Sequence, residues 1–158
     1  MLPEIQQTLL TLDKLRGQVA AIIQATPVDG LNWRPSLPQD ADGVNSLAVL
    51  AVHTAGSEHF WFAELIGGQP HTRVRDEEFA FVAASAQDVL GRLAAVAAES
   101  EPILSALTAE RLDSSITYDG RVHPVRGILH HVISHYSLHV GHMQLTYQLW
   151  AGGKAFQP

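Results

Sequence analysis

His130-His131-Val132-Ile133-Ser134-His135-Tyr136-Ser137-Leu138-His139-Val140-Gly141-His142 gathers five of the chain's nine histidines into one short stretch. It lies inside a longer run, Pro124 to Trp150, that has helical periodicity and stops at Gly152-Gly153. Each helical residue turns ~100°, so His135 falls at ~40°, His139 at ~80° and His142 at ~20° from His131, on one stripe that excludes His130. Leu138, Leu145, Thr146 and Leu149 share that face. The stripe is therefore expected to look into a bundle of helices rather than at water.

Three other segments carry the same periodicity. The first runs from about Pro3 to Ala25 and returns Ile5, Leu9, Leu12, Leu15 or Arg16, Val19 and Ile22 or Ile23 to one side. The second should start at Asn45 or Ser46 and end at Gly67-Gly68; the third should be capped by Ser85 and reach about Thr108. Between the first two, Thr26 to Val44 is too rich in Pro and Gly for one element, yet Leu31 and Trp33 need burial, so an ordered connector is expected. The polar stretch Gln69 to Ala84 reads as a solvated loop, and Asp119-Gly120 between two β-favouring pieces reads as a short hairpin before the last helix. Gly127 and Gly141 inside that helix point to close packing or a bound group at one of them at least. Four long amphipathic helices make an all-α four-helix bundle, with residues 1–158 forming a single domain.

Composition narrows the chemistry. The chain of 158 residues has no cysteine, which removes thiolate ligands and a protein-borne sulfur nucleophile; any thiol must come from a small molecule. A formal charge of −6 with no basic stripe argues against nucleic acid as a partner. Neither a signal-like N-terminus nor ~18 consecutive apolar residues occurs, so no membrane association and a cytoplasmic location are expected.

Burying several unpaired imidazoles costs roughly 1–3 kcal/mol each, and a divalent cation removes that cost. Histidines spaced i, i+4 or i, i+3 project side by side, which leaves His131/His135, His135/His139 and His139/His142 as candidate pairs. A third ligand should come from another helix. His53 lies in the apolar run Leu47-Ala48-Val49-Leu50-Ala51-Val52; alone it reads as a hydrogen-bonded core histidine, but beside an inward His-x3-His it reads as a ligand. His59 falls on a different face and is expected at the rim.

The segment Asn45 to His53, with Trp33-Arg34-Pro35 upstream, resembles the second-helix signature of the DinB/YfiT-like family, and His131 to Gly141 resembles that family's fourth-helix motif, His-x3-His-x-Gly. The resemblance spans nearly the whole chain in order and spacing. It implies an up-down-down-up bundle holding a divalent metal, zinc or nickel above others, through His53, His135 and His139. The family commonly has Gln after His-x-Gly, where this chain has His142. That residue is expected foremost as a core side chain, then as a hydrogen-bonding neighbour of the ligands, then as a proton carrier.

Three imidazoles leave a divalent ion an open position, as catalytic sites do. The family's characterised members include thiol-dependent S-transferases and a mycothiol-dependent maleylpyruvate isomerase, so the resemblance implies transfer of a low-molecular-weight thiol to a small electrophile. A hydrolase using metal-activated water is the alternative. It lacks a well-placed base, because Glu58 is turned ~140° from His53 and Glu64 lies three turns along the same face. Trp33, Phe60, Trp61 and Tyr136 are core aromatics that could line a pocket. A third reading is a non-catalytic bundle, alone or in a homodimer, whose metal is closed by His131 or His142 as fourth ligand.

Overall fold

The structure, a computed structural model, describes residues 1–36 and 44–157. Helix α1 (Pro3–Ala25) begins on a proline whose missing N–H has no partner to lose there, and it buries Ile5, Leu12, Arg16, Val19 and Ile22 at three- and four-residue steps. The connector that follows is ordered as expected up to Ser36: a short helix, α2 (Val28–Asn32), buries Leu31, and the Asn32 side chain bonds both backbone groups of Ala83. Its residues 37–43 lie outside the described part of the chain.

The Ser46 hydroxyl accepts the Val49 N–H and caps α3 (Leu47–Glu58). The sequence gives no sign of what happens next: the helix widens into a π-helical segment, His59–Ile66, that ends with the Gly67 N–H on the Phe62 carbonyl at 2.8 Å. Angular steps of an α-helix do not hold beyond residue 58. The stretch expected to be a solvated loop instead contains α4 (Arg75–Phe79), with Glu78 buried. Helix α5 (Ala86–Ser105) is capped by Ser85 as expected but stops short of Thr108, whose hydroxyl starts α6 (Ala109–Asp113) by accepting the Arg111 N–H.

Strands β1 (Ser115–Tyr118) and β2 (Arg121–Pro124) pair antiparallel. Asp119 and Gly120 have φ of 49° and 70°, the two positive values that a two-residue I′ turn requires. Helix α7 (Val125–Trp150) then runs the length of the molecule.

Contacts fix the direction of each long helix. Glu4 meets Arg126 and Gly30 abuts Trp150, so α1 and α7 run parallel. His53 meets His135 while Trp61 meets His131 and His123, so α3 runs against α7; His59 meets Glu99 and Gly67 abuts Ile103, so α5 runs with α3. That is the up-down-down-up bundle. One apolar core joins all four helices, among it Leu12, Leu47, Phe62, Leu104, Val132 and Met143.

A charged group crosses that core. Glu58, fully buried, takes two bonds from the Arg16 guanidinium and one from the Tyr136 hydroxyl at 2.8 Å, tying α1, α3 and α7 together. Burial and the adjacent Glu58 charge push the Tyr136 hydroxyl well above its ordinary pKa, so it stays a donor. Removing one partner of such a group leaves the others uncompensated. Glu58→Gln is expected to cost about 3–5 kcal/mol in urea unfolding; Tyr136→Phe, which deletes one hydrogen bond to a buried carboxylate, should cost about 1.5–3 kcal/mol.

Candidate metal centre

His53 comes from the middle of α3, and His135 and His139 come from successive turns of α7. The Nε2 atom of His135 lies 3.2 Å from that of His53 and 3.2 Å from that of His139. The three side chains form the group of histidine, cysteine or acidic residues, among the described residues, whose donor atoms come close enough together to hold a metal ion.

The donor set fits a cation. Glu78 Oε2 sits 2.9 Å from His53 Nδ1, and a carboxylate can only accept, so Nδ1 carries the proton and Nε2 turns a lone pair toward His135. A single proton can bridge each pair of facing nitrogens at most. Two nitrogens bound to one tetrahedral ion at ~2.0–2.1 Å stand about 3.3 Å apart, close to the spacing found here. The Nδ1 of His135 is buried and has no partner among the described residues, where packing and its Nε2 contacts alone orient the ring.

Burial is the main reason that the two α7 imidazoles resist protonation. It pushes His135 down to about 3, with the neighbouring imidazoles adding to the shift, and His139 down to about 4. Both are therefore neutral and able to donate at neutral pH.

The residues behind His53 were not apparent from sequence. The Glu78 carboxylate is held by the Arg73 guanidinium, with Nε at 2.6 Å from Oε1 and Nη2 at 2.9 Å from Oε2. Although burial opposes ionisation, these bonds and the one from His53 keep its pKa below the usual carboxylate range. Glu64 bonds His71, with Nδ1 2.9 Å from Oε2, rather than any of the three converging histidines. It folds over the following loop and accepts the N–H groups of Thr72 and Arg73 at 2.7 and 2.8 Å, which fixes the loop that presents Arg73. The chain Glu64, Arg73, Glu78, His53 therefore runs from the loop to a histidine that could hold a metal, the kind of outer support that metal-binding histidines use.

Gly56 makes this possible, because any Cβ there would overlap Glu78 Oε1. A glycine one turn from His53, within a helix where it costs about 1 kcal/mol relative to Ala, was the available signal. Gly127 and Gly141 do not fill that role: a Cβ on the first would make ordinary contact with Pro124 and on the second would meet nothing.

Two expectations about the stripe on α7 require correction. The core face of α7 carries Val132, Tyr136, Val140 and Met143, which lie ~100–180° from His131. The imidazole stripe is turned away from that face and lies along the seam with α3. His135 and His139 are half-buried, whereas Leu138, Leu145 and Leu149 are exposed.

His142 is exposed too, so it is not a core side chain; its Nδ1 lies 3.3 Å from Nδ1 of His139, on the side of that ring away from the convergence. His131 is also exposed and lies against Trp61, with ring centroids 4.9 Å apart. His59 sits at the rim as expected, against Glu99 and Thr72. Tyr136 and Trp61 pack away from the three Nε2 atoms, Tyr136 in the core and Trp61 near β2.

A helical bundle of this topology with imidazoles converging between its second and fourth long helices defines a class of histidine-centred bundles. The chain belongs to the DinB superfamily, whose sequence profile matches residues 11–143. Similar folds occur in a conserved protein from Enterococcus faecalis (TM-score 0.73, 19% identity, covering 96% of this chain and 99% of that one). They occur also in DinB-like proteins from Bacillus cereus (TM-score 0.72, 16% identity, 97% and 96% covered) and Bacillus subtilis (TM-score 0.69, 18% identity, 96% and 96% covered). At these identities the likeness is one of fold. Among curated proteins no match was found.

Two measurements test the centre. Gly56→Ala should displace Glu78 and, like Glu78→Ala, weaken metal affinity by roughly 10–100-fold in a chelator competition titration. Because His135 and His139 titrate below the ordinary ~6.5, the unfolded chain takes up protons that the folded chain refuses as pH falls from about 6.5. The melting temperature of chelator-treated protein should therefore drop across that window toward pH 4 and be insensitive to these groups above it.

Proposed function

We propose that His53, His135 and His139 hold a divalent metal ion, zinc or nickel, and that the chain is an enzyme that transfers a small thiol to an electrophilic substrate. When bound, such an ion lowers the pKa of a thiol placed on it and so supplies a thiolate at neutral pH. The chain's own residues account for the rest. Glu78 fixes the tautomer and orientation of His53, burial keeps the α7 imidazoles neutral, and the seam position leaves the convergence accessible from the surface.

The observation that carries this reading is the commitment of the carboxylates around the site. Glu78 is bonded to Arg73 and to the far side of His53, and Glu58 is enclosed by Arg16 and Tyr136. Neither is free to take a proton from water beside the three Nε2 atoms, which a hydrolase would need. Thiol transfer requires no such base. The reading of a closed, purely structural metal loses support from the placement of its two applicants: His142 sits behind His139 and His131 against Trp61.

Elemental analysis after dialysis should give one divalent ion per chain in the unaltered protein and less than a tenth of that in His135→Ala. Addition of a small thiol to cobalt-substituted protein should bring in a sulfur-to-metal charge-transfer band near the ultraviolet. An unchanged spectrum would remove thiol ligation from the mechanism.

A further inference from the structure

Two hollows flank the histidine centre, and they differ in chemistry. One, of about 310 Å³, lies behind His53 and is walled by Arg73, Glu77, Glu78 and Arg92. It is on the Nδ1 side of His53, so Glu78 stands between it and the donor nitrogens. The other, of about 440 Å³, is bordered by His139 itself and by Pro35, Val44, Leu50, Leu145 and Leu149. Asn45, Thr146 and His142 supply its polar atoms, and no charged side chain borders it among the described residues.

Leu145 and Leu149 are 56% and 54% exposed, an unusual outlay of large apolar side chains beside a polar centre. A hollow of this size, apolar with a few polar groups, has the character of a small-molecule site. Since His139 belongs to both the centre and the cavity wall, a molecule reacting at the centre can lay its remainder along these leucines. An anionic or cationic remainder would give up hydration there and meet no countercharge among the described residues.

We propose that the cavity beside His139 receives an uncharged aliphatic arm of the electrophilic substrate, whose reactive end lies at the histidine centre. This deepens the thiol-transfer reading and rests on it for the reaction, while the cavity itself can be tested apart from the metal.

The metal-free protein should bind the neutral fluorophore N-phenyl-1-naphthylamine saturably, and Leu145→Asp/Leu149→Asp should lose at least tenfold in that affinity. Both leucines are more than half exposed, so the double variant is expected to keep its circular dichroism; Val122→Asp, at a 66% exposed apolar residue on the hairpin, is the control and should bind the fluorophore unchanged.

On the cobalt-loaded protein, straight-chain alkyl hydroxamates from acetyl to octanoyl should tighten by roughly fourfold per methylene, read from the visible spectrum. In the double variant this dependence should fall below twofold. If acetohydroxamate leaves the spectrum unchanged, the metal reading fails and the fluorophore result decides the cavity alone. Hydroxamate affinity independent of chain length, or fluorophore binding equal in all three proteins, overturns the proposal. So does a dimer in sedimentation that the double variant dissociates, because the leucines would then be covered by a second copy of the chain.

Discussion

Everything at the centre depends on the hydrogen bond between the Glu78 carboxylate and His53 Nδ1. It decides which nitrogen of His53 carries the proton, and with that it turns an unprotonated Nε2 toward two other imidazoles that burial keeps neutral. Facing lone pairs repel, and a cation is what relieves them. The bond in turn needs Arg73 to hold Glu78 ionised in a buried place, Glu64 to hold the loop that carries Arg73, and the missing side chain of Gly56 to let the carboxylate approach. A short charged connector is thus the rear wall of the site.

One turn further along α3, Glu58 plays a different part. Its bonds to Arg16 and Tyr136 lock three helices at the level where α3 gives way to the π-helical segment. Tyr136 follows His135 directly, so the rotation of α7 that buries the tyrosine on Glu58 also sets the direction of the imidazole beside it. A buried polar group of this kind is poor value as stability alone; here it fixes the register of α3 against α7, on which the 3.2 Å spacing of the histidines depends. The same rotation leaves Leu145 and Leu149 outside the core, next to the centre.

Much of this was visible in the sequence. The apolar spacing in α1, the caps Ser46 and Ser85, and the Asp119-Gly120 turn each follow from local rules, and the structure has them where those rules put them. The stripe of histidines on α7 was legible as well, because a regular helix converts spacing into angle. Its direction was misread. Apolarity alone points the leucines at 138, 145 and 149 inward, whereas Val132, Tyr136, Val140 and Met143 form the face that packs inward. The stretch 69–84 was misread for a related reason: charged residues signal solvent unless something pairs them, and the pairing of Glu78 with Arg73 and His53 is made across the fold.

The sequence by itself determined the four long helical segments, the caps Ser46 and Ser85 and the alignment of His135 with His139, since all of these depend on residues within a few positions of one another. Only the tertiary structure decided that His53 meets them, that Glu78 stands behind it, and that the leucine face lies open beside His139. The first two relations join residues 82 and 25 positions apart, and no local rule of backbone geometry carries over such a distance; all three are set by how four helices share one core and by which buried charges must find partners.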